Sequence, residues 1–263
     1  MSTPAIPRAP DSARNPETAR LGPWRALGLV ALYFALQIAA ALLWTLGAHV
    51  AARIEQLPAA DLLAAHGSLM LSTVLLFATL PTLLLVRLHW PARWSAAALP
   101  GFGLRWPGLR WILGGLLLAA LLLPLVLGLN AALFPRQGVT QSVLVIFDHA
   151  HLWMRVLLTL MIVLLAPFVE ELLFRGVLLA GLSERLPLRW AVALSVLLFA
   201  IAHLPDTGGH WQVLPGLIAL ALGLTWLRVR SGSLLPGYAA HALYNASVLA
   251  LALWPLLRGH AAG

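Results

Sequence analysis

Two adjacent carboxylates, Glu170 and Glu171, interrupt an apolar run that extends from about Leu152 to Leu182. Of the 9 Asp and Glu residues in the chain, these alone lie deep in such a run. An ionisable group at membrane depth costs roughly 2.5–3.5 kcal/mol, so it faces protein or a water-filled cavity and usually has a chemical task. Arg175 follows Glu171 at i+4, on the same helix face and in the favourable order for an ion pair. If Arg175 neutralises Glu171, then Glu170 points about 100° away with no partner on its own helix. A desolvated carboxylate without a cation holds a proton more readily, as a general base must. Pro167 cannot donate a backbone hydrogen bond, which loosens the turn before Glu170 and admits water.

Two more apolar runs carry polar side chains at the same i, i+4 spacing. One holds Phe199 and His203, the other His241 and Asn245. Imidazoles and an amide donate, accept or ligate, so with Glu170 they make up the parts of a water-activating or metal-binding site. Taken singly, each has a plainer reading. An intramembrane His is often a helix–helix hydrogen-bond partner, a Glu–Arg pair is often structural, and Phe199 reads as packing. Depth favours the joint reading. At 1.5 Å per residue, Glu170 lies roughly 18 Å, His203 roughly 20 Å and His241 roughly 10 Å from the same membrane face. The other histidines fall at span ends or in connectors and read as solvated.

The elements that must position these residues are membrane helices. Of the 263 residues 61% are hydrophobic and 10% charged, with a mean hydropathy of +0.89. A soluble domain carries about 25% charge. The expected fold is all-α, a multi-pass bundle of about seven spans in one integral domain. Residues 1–23 read as a disordered cytoplasmic tail, 24–150 as N-terminal spans and 151–258 as the catalytic core. The spans fall near Leu27–Val50, Gly67–Leu88, Leu109–Phe134, Leu152–Leu182, Trp190–Leu204, Trp211–Val229 and Leu234–Leu257. Between the second and third, Trp90–Trp111 mixes Trp with Arg and suits a membrane interface. Pro135–His151 is a connector, with a short interfacial helix expected at Val143–Phe147, and Asp206–Gly209 is a tight turn.

The chain has no cysteine and a net charge of +8. Disulfides, thiolate metal sites and a Cys nucleophile are therefore excluded. The arginines flank apolar runs, which argues for membrane orientation and against nucleic acid. Twelve of them gather on the side of Arg8, Arg93, Arg105, Arg185 and Arg230, and four (Arg53, Arg136, Arg155, Arg258) on the other. That asymmetry places the N-terminus in the cytoplasm of a cell-membrane protein.

Glu170-Glu171-x-x-x-Arg175, Phe199-x-x-x-His203 and His241-x-x-x-Asn245, in this order, resemble the signature of the CAAX prenyl protease and bacteriocin-processing (Abi) family of intramembrane endopeptidases. The Ser231-Gly-Ser-Leu-Leu-Pro-Gly run is similar too, and the resemblance covers roughly Leu152–Val248. It implies that Glu170 activates the attacking water with help from His203. It implies further that His241 and Asn245 bind the developing oxyanion, and that Glu171 and Arg175 support the site. Two chemistries stay open: a zinc held by Glu170, His203 and His241, or a metal-independent glutamate mechanism. The implied partners are the lipid bilayer and a peptide or membrane-protein substrate. A non-enzymatic immunity or assembly factor is the alternative, disfavoured because the polar set is intact. A transporter with a carboxylate relay is disfavoured because the ionisable groups are confined to the C-terminal half.

Overall fold

The computed structural model of the protein describes residues 20–133, 150–205 and 210–260. The expected tail through residue 19, the connector at 134–149 with its interfacial helix, and the turn at 206–209 lie outside the described residues. Seven helices carry the described fold: α1 (Gly22–Glu55), α2 (Ala59–His89), α3 (Leu109–Leu133), α4 (Leu152–Ser183), α5 (Leu188–Ala202), α6 (Leu214–Ser231) and α7 (Leu235–His260). No strand occurs among the described residues. Helices satisfy their backbone groups internally, as a chain crossing lipid must. Each expected span corresponds to one helix. α1 and α2 run past their apolar cores because alanine-rich flanks (Ala51, Ala52, Ala59, Ala60) keep helical propensity.

Five helices (α1, α2, α3, α4 and α6) are long and apolar enough to cross a membrane. α5 has 15 residues, a rise of about 22 Å against a hydrocarbon core of roughly 30 Å. It is shorter than such a core, and His203 caps its C-terminal end. Leu113, Leu117, Leu121 and Leu125 form an exposed stripe along α3 at four-residue spacing, whereas Ala119, Leu122 and Val126 are buried. A leucine face turned outward suits lipid contact. The chain is a multi-pass membrane protein.

The main core joins α1, α2, α4, α5 and α6 around Val169, Leu172, Leu173, Phe174 and Val177. Small residues allow the closest helix approaches. A Cβ on Gly181 would collide with Ala26 and the Gly22 carbonyl, and one on Gly115 with the Pro236 carbonyl.

The Trp90–Trp111 segment, expected to rest at the interface, is anchored in the bundle through its centre. Phe102 is fully buried in the main core. Buried Arg228 of α6 donates to the carbonyls of Ala97 (3.0 Å) and Gly101 (2.6 Å). The Leu234 N–H donates to the Gly103 carbonyl at 2.8 Å, and Ser233 Oγ to that of Arg105 at 2.6 Å. An irregular segment exposes backbone carbonyls that need donors when buried, and here α6 and the start of α7 supply them. Arg228, read from sequence as one more flanking charge, is thus a clamp.

Glu184, just after α4, accepts the Gly22 N–H at 2.9 Å and pairs with Arg93 at 2.7 Å. A carboxylate at the start of α1 satisfies orphan donors and the helix dipole together. Pro23 stands at the first helical positions, where its missing N–H costs nothing.

Candidate active site

α4 is not wound uniformly. Met161–Leu165 and Glu171–Leu178 are π-helical, with Ala166–Glu170 an α-helical turn between them. Wider turns of this kind are frequent at functional sites. They lie on either side of the turn that carries Pro167 and Glu170. Pro167 itself lies in the α-helical turn between the two wider stretches.

The structure brings together Glu170, Glu171, Arg175, His203 and His241. Glu171 Oε1 accepts a hydrogen bond from Arg175 Nη1 at 3.0 Å, the pair expected from the i, i+4 spacing. Arg175 Nε also reaches Thr225 Oγ1 and Nη2 the Ala221 carbonyl, both at 3.4 Å. The guanidinium lies 4.1 Å from the centre of the Phe199 ring. The Arg175 and Glu171 side chains are 0% and 1% exposed, so the pair is sealed from solvent.

Phe199 does more than fill space. Besides Arg175, its ring meets the His203 ring at 4.3 Å, the Phe174 ring at 5.2 Å and the His241 ring at 5.9 Å. It holds the cation of the ion pair and both imidazoles in fixed relative positions.

Glu170 has no partner on its own helix, as expected, and meets two imidazoles from other helices. Its Oε2 lies 3.4 Å from His203 Nε2 and 3.6 Å from His241 Nε2, on α5 and α7 respectively. That same oxygen is buried and accepts no hydrogen bond from the described residues. The Glu170 and His203 side chains keep 18% and 23% exposure, against 3% for His241.

Second contacts fix how each imidazole is oriented. At the end of α5 the His203 N–H turns to the Ala200 carbonyl (3.3 Å), away from the Phe199 carbonyl it would bond in a regular helix. His203 Nδ1–H donates to that carbonyl at 2.8 Å. A carbonyl only accepts, so the neutral ring presents an unprotonated Nε2 to Glu170. His241 Nδ1 lies 3.1 Å from Glu171 Oε1, the oxygen that also binds Arg175. A paired carboxylate accepts as well, so His241 Nδ1 carries hydrogen and its Nε2 also faces Glu170 Oε2.

Histidines that ligate metals or orient water are held this way, through the ring nitrogen turned away from the site. The two nitrogen–oxygen distances alone would suit ligands of one tetrahedral ion. Among the described residues, however, no group of three or more His, Asp or Glu side chains is arranged to hold a metal ion.

Asn245 is the one expected site residue directed elsewhere by its observed contact: Nδ2 donates to the Ile162 carbonyl on α4 at 3.1 Å. The start of α7 is built to serve Glu171. Gly232 ends α6 in the left-handed conformation, φ +67°, which glycine adopts without strain. The Leu235 N–H donates to Ser233 Oγ at 3.1 Å. A Cβ on Gly237 would come within 2.9 Å of Glu171 Oε2, so only glycine lets α7 pass this close. Sequence reasoning did not single out Thr225, Gly237 or Ser233. The last two lie within the Ser231–Gly237 run that signalled them as a group.

No curated protein and no solved structure matches the chain. Residues 152–247 match the family model described as type II CAAX prenyl endopeptidase, Rce1-like. The match spans α4, α5, α6 and α7 as far as Ser247, the part of the chain that builds this site, and agrees with the resemblance carried by its three motifs.

Proposed function

We propose that the protein is an intramembrane endopeptidase in which Glu170 activates water against a peptide bond. The observation that carries this reading is the convergence of His203 Nε2 and His241 Nε2, from two other helices, on the unbonded Glu170 Oε2. With Glu170, Glu171 and Arg175 ionised, one further proton makes the cluster neutral, as a dry site favours. In this scheme His241 acts as the imidazolium donor, oriented by Glu171 through Nδ1–H as the buried Asp orients the His of a serine-protease triad. His203, whose Nδ1–H faces a neutral carbonyl, stays neutral.

A water then fits with one hydrogen on Glu170 and the other on His203 Nε2. Glu170 takes its proton as the water oxygen forms a bond to the substrate carbonyl carbon. The carbonyl π electrons move to oxygen, and His241 Nε2–H donates to that oxyanion. When the intermediate collapses, the C–N bond breaks and the proton on Glu170 passes to the leaving amine. The products are a carboxylic acid and an amine, and Glu170 is an ionised base again. An apolar cleft of about 430 Å³ lined by Leu164, Leu165, Phe168 and Tyr238 adjoins this part of α4. It suits a substrate segment that is itself apolar and enters from the bilayer. Membranes holding the protein should contain new peptide termini that are missing from membranes holding Glu170→Gln. Identical termini in both would refute the reading.

The mechanism uses no metal. A strong chelator should leave turnover within about 2-fold, measured in preparations shown metal-free by elemental analysis. Loss of activity on chelation with recovery on adding zinc would overturn the water-only scheme.

The arginine asymmetry supports a cell-membrane location with residues 1–23 and Trp90–Trp111 in the cytoplasm. The chain has no cysteine, so Arg105→Cys, at an exposed position, gives a single labelling site. It should react with an impermeant thiol reagent only after the membrane is opened. Labelling on intact cells would reverse the orientation.

A further inference from the structure

We infer that Asn245 is a positioning residue that supplies the hydrogen bond Pro167 cannot make, and so sets the turn that aims Glu170. This rests on the protease reading above. In the π-helical stretch of α4 the Ala166 N–H bonds the Met161 carbonyl, five residues back. The next bond in that register would run from residue 167 to the Ile162 carbonyl. Residue 167 is proline and has no N–H. Ala166, the regular α-helical donor to Ile162, is already used on Met161. The Ile162 carbonyl is thus stripped of both backbone donors, inside the membrane-spanning part of the bundle.

Asn245 Nδ2 fills that place from α7 at 3.1 Å. An unsatisfied carbonyl at this depth is costly, so the contact holds α4 against α7 at this turn. Glu170 follows Pro167 within one turn, and the direction of its side chain depends on how that turn is held. His241 lies on the same helix one turn before Asn245. One amide therefore ties the backbone that carries the base to the helix that carries the oxyanion donor. The resemblance assigns Asn245 to the oxyanion, but the contact observed is with backbone.

The proposal names its own suppressor. Asn245→Ala should lower kcat by on the order of 10²-fold, the cost of a misplacement near 1 Å, with little change in KM. Pro167→Ala restores an N–H at residue 167. The double variant Asn245→Ala with Pro167→Ala should regain at least about 10-fold of that loss. An oxyanion donor would not be replaced by a backbone N–H on α4, so absence of rescue overturns the inference. Hydrogen exchange supplies a readout that does not depend on turnover or on Pro167→Ala folding. Peptides covering residues 161–171 should lose protection in Asn245→Ala, and in Asn245→Asp, whose carboxylate cannot donate. Unchanged protection in both variants would also overturn it. The two levels of failure are distinct: an active Glu170→Gln sinks the protease reading, whereas an inactive Glu170→Gln without rescue sinks only the role of Asn245.

Discussion

Glu170→Gln is expected to reduce turnover by at least the roughly 10²–10⁴-fold that a lost general base costs, with the fold intact. The amide matches the carboxyl in size but cannot take the proton from water. Stability should hold, because the Glu170 Oε2 that the change affects accepts no hydrogen bond from the described residues, and the side chain is 18% exposed. The measurement pairs turnover of a cleaved reporter with thermal unfolding in detergent. Activity within about 10-fold of the parent would sink the assignment of Glu170. A large fall in unfolding temperature would show that Glu170 holds the bundle together.

Glu171→Gln should behave in the opposite way, losing stability first. Its carboxylate is the only acid on the buried Arg175 among the described ion pairs. Without that charge the guanidinium keeps only neutral partners: the new amide oxygen, Thr225 Oγ1 and the Ala221 carbonyl, the last two at 3.4 Å, and the Phe199 ring. Breaking a buried pair from one side costs roughly 3–5 kcal/mol. Adding Arg175→Met removes the stranded charge and should recover part of that stability. Activity should not recover with it, because Glu171 Oε1 also bonds His241 Nδ1, and a neutral amide supports an imidazolium less well than a carboxylate. Stability and turnover should therefore separate in the double variant. A Glu171→Gln protein as stable as the parent would refute the role given to the pair. A double variant that regains stability and full turnover together would refute the second role, on His241.

Much of this protein is legible in its sequence because lipid is a demanding solvent. Uninterrupted apolar runs can only be helices there, so seven helices and their order follow from hydropathy alone. Within those helices the 3.6-residue repeat puts i and i+4 on one face. The Glu171–Arg175 pair was therefore readable as a contact, as was the fact that Phe199–His203 and His241–Asn245 each share a face. What local periodicity cannot carry is which faces of different helices meet. Compatible depth let Glu170, His203 and His241 be grouped, but that both imidazoles meet the same oxygen, Oε2, is seen only in the packed bundle. The tautomers of His203 and His241, on which the chemistry turns, depend on a carbonyl released at the end of α5 and on a carboxylate from α4.

The same reason explains the other differences. The Trp90–Trp111 segment has the composition of an interface, yet Arg228 and the start of α7 draw its centre into the core through backbone carbonyls that no sequence pattern marks. Asn245 shares its helix with His241, but its partner is a carbonyl freed by a proline on another helix. Solvent and helix geometry alone make the spans, the polar residues within them and their spacing along each helix readable from the chain. Which of those residues meet was decided only in the packed bundle, because hydrogen bonds to displaced backbone groups form only once the helices are together.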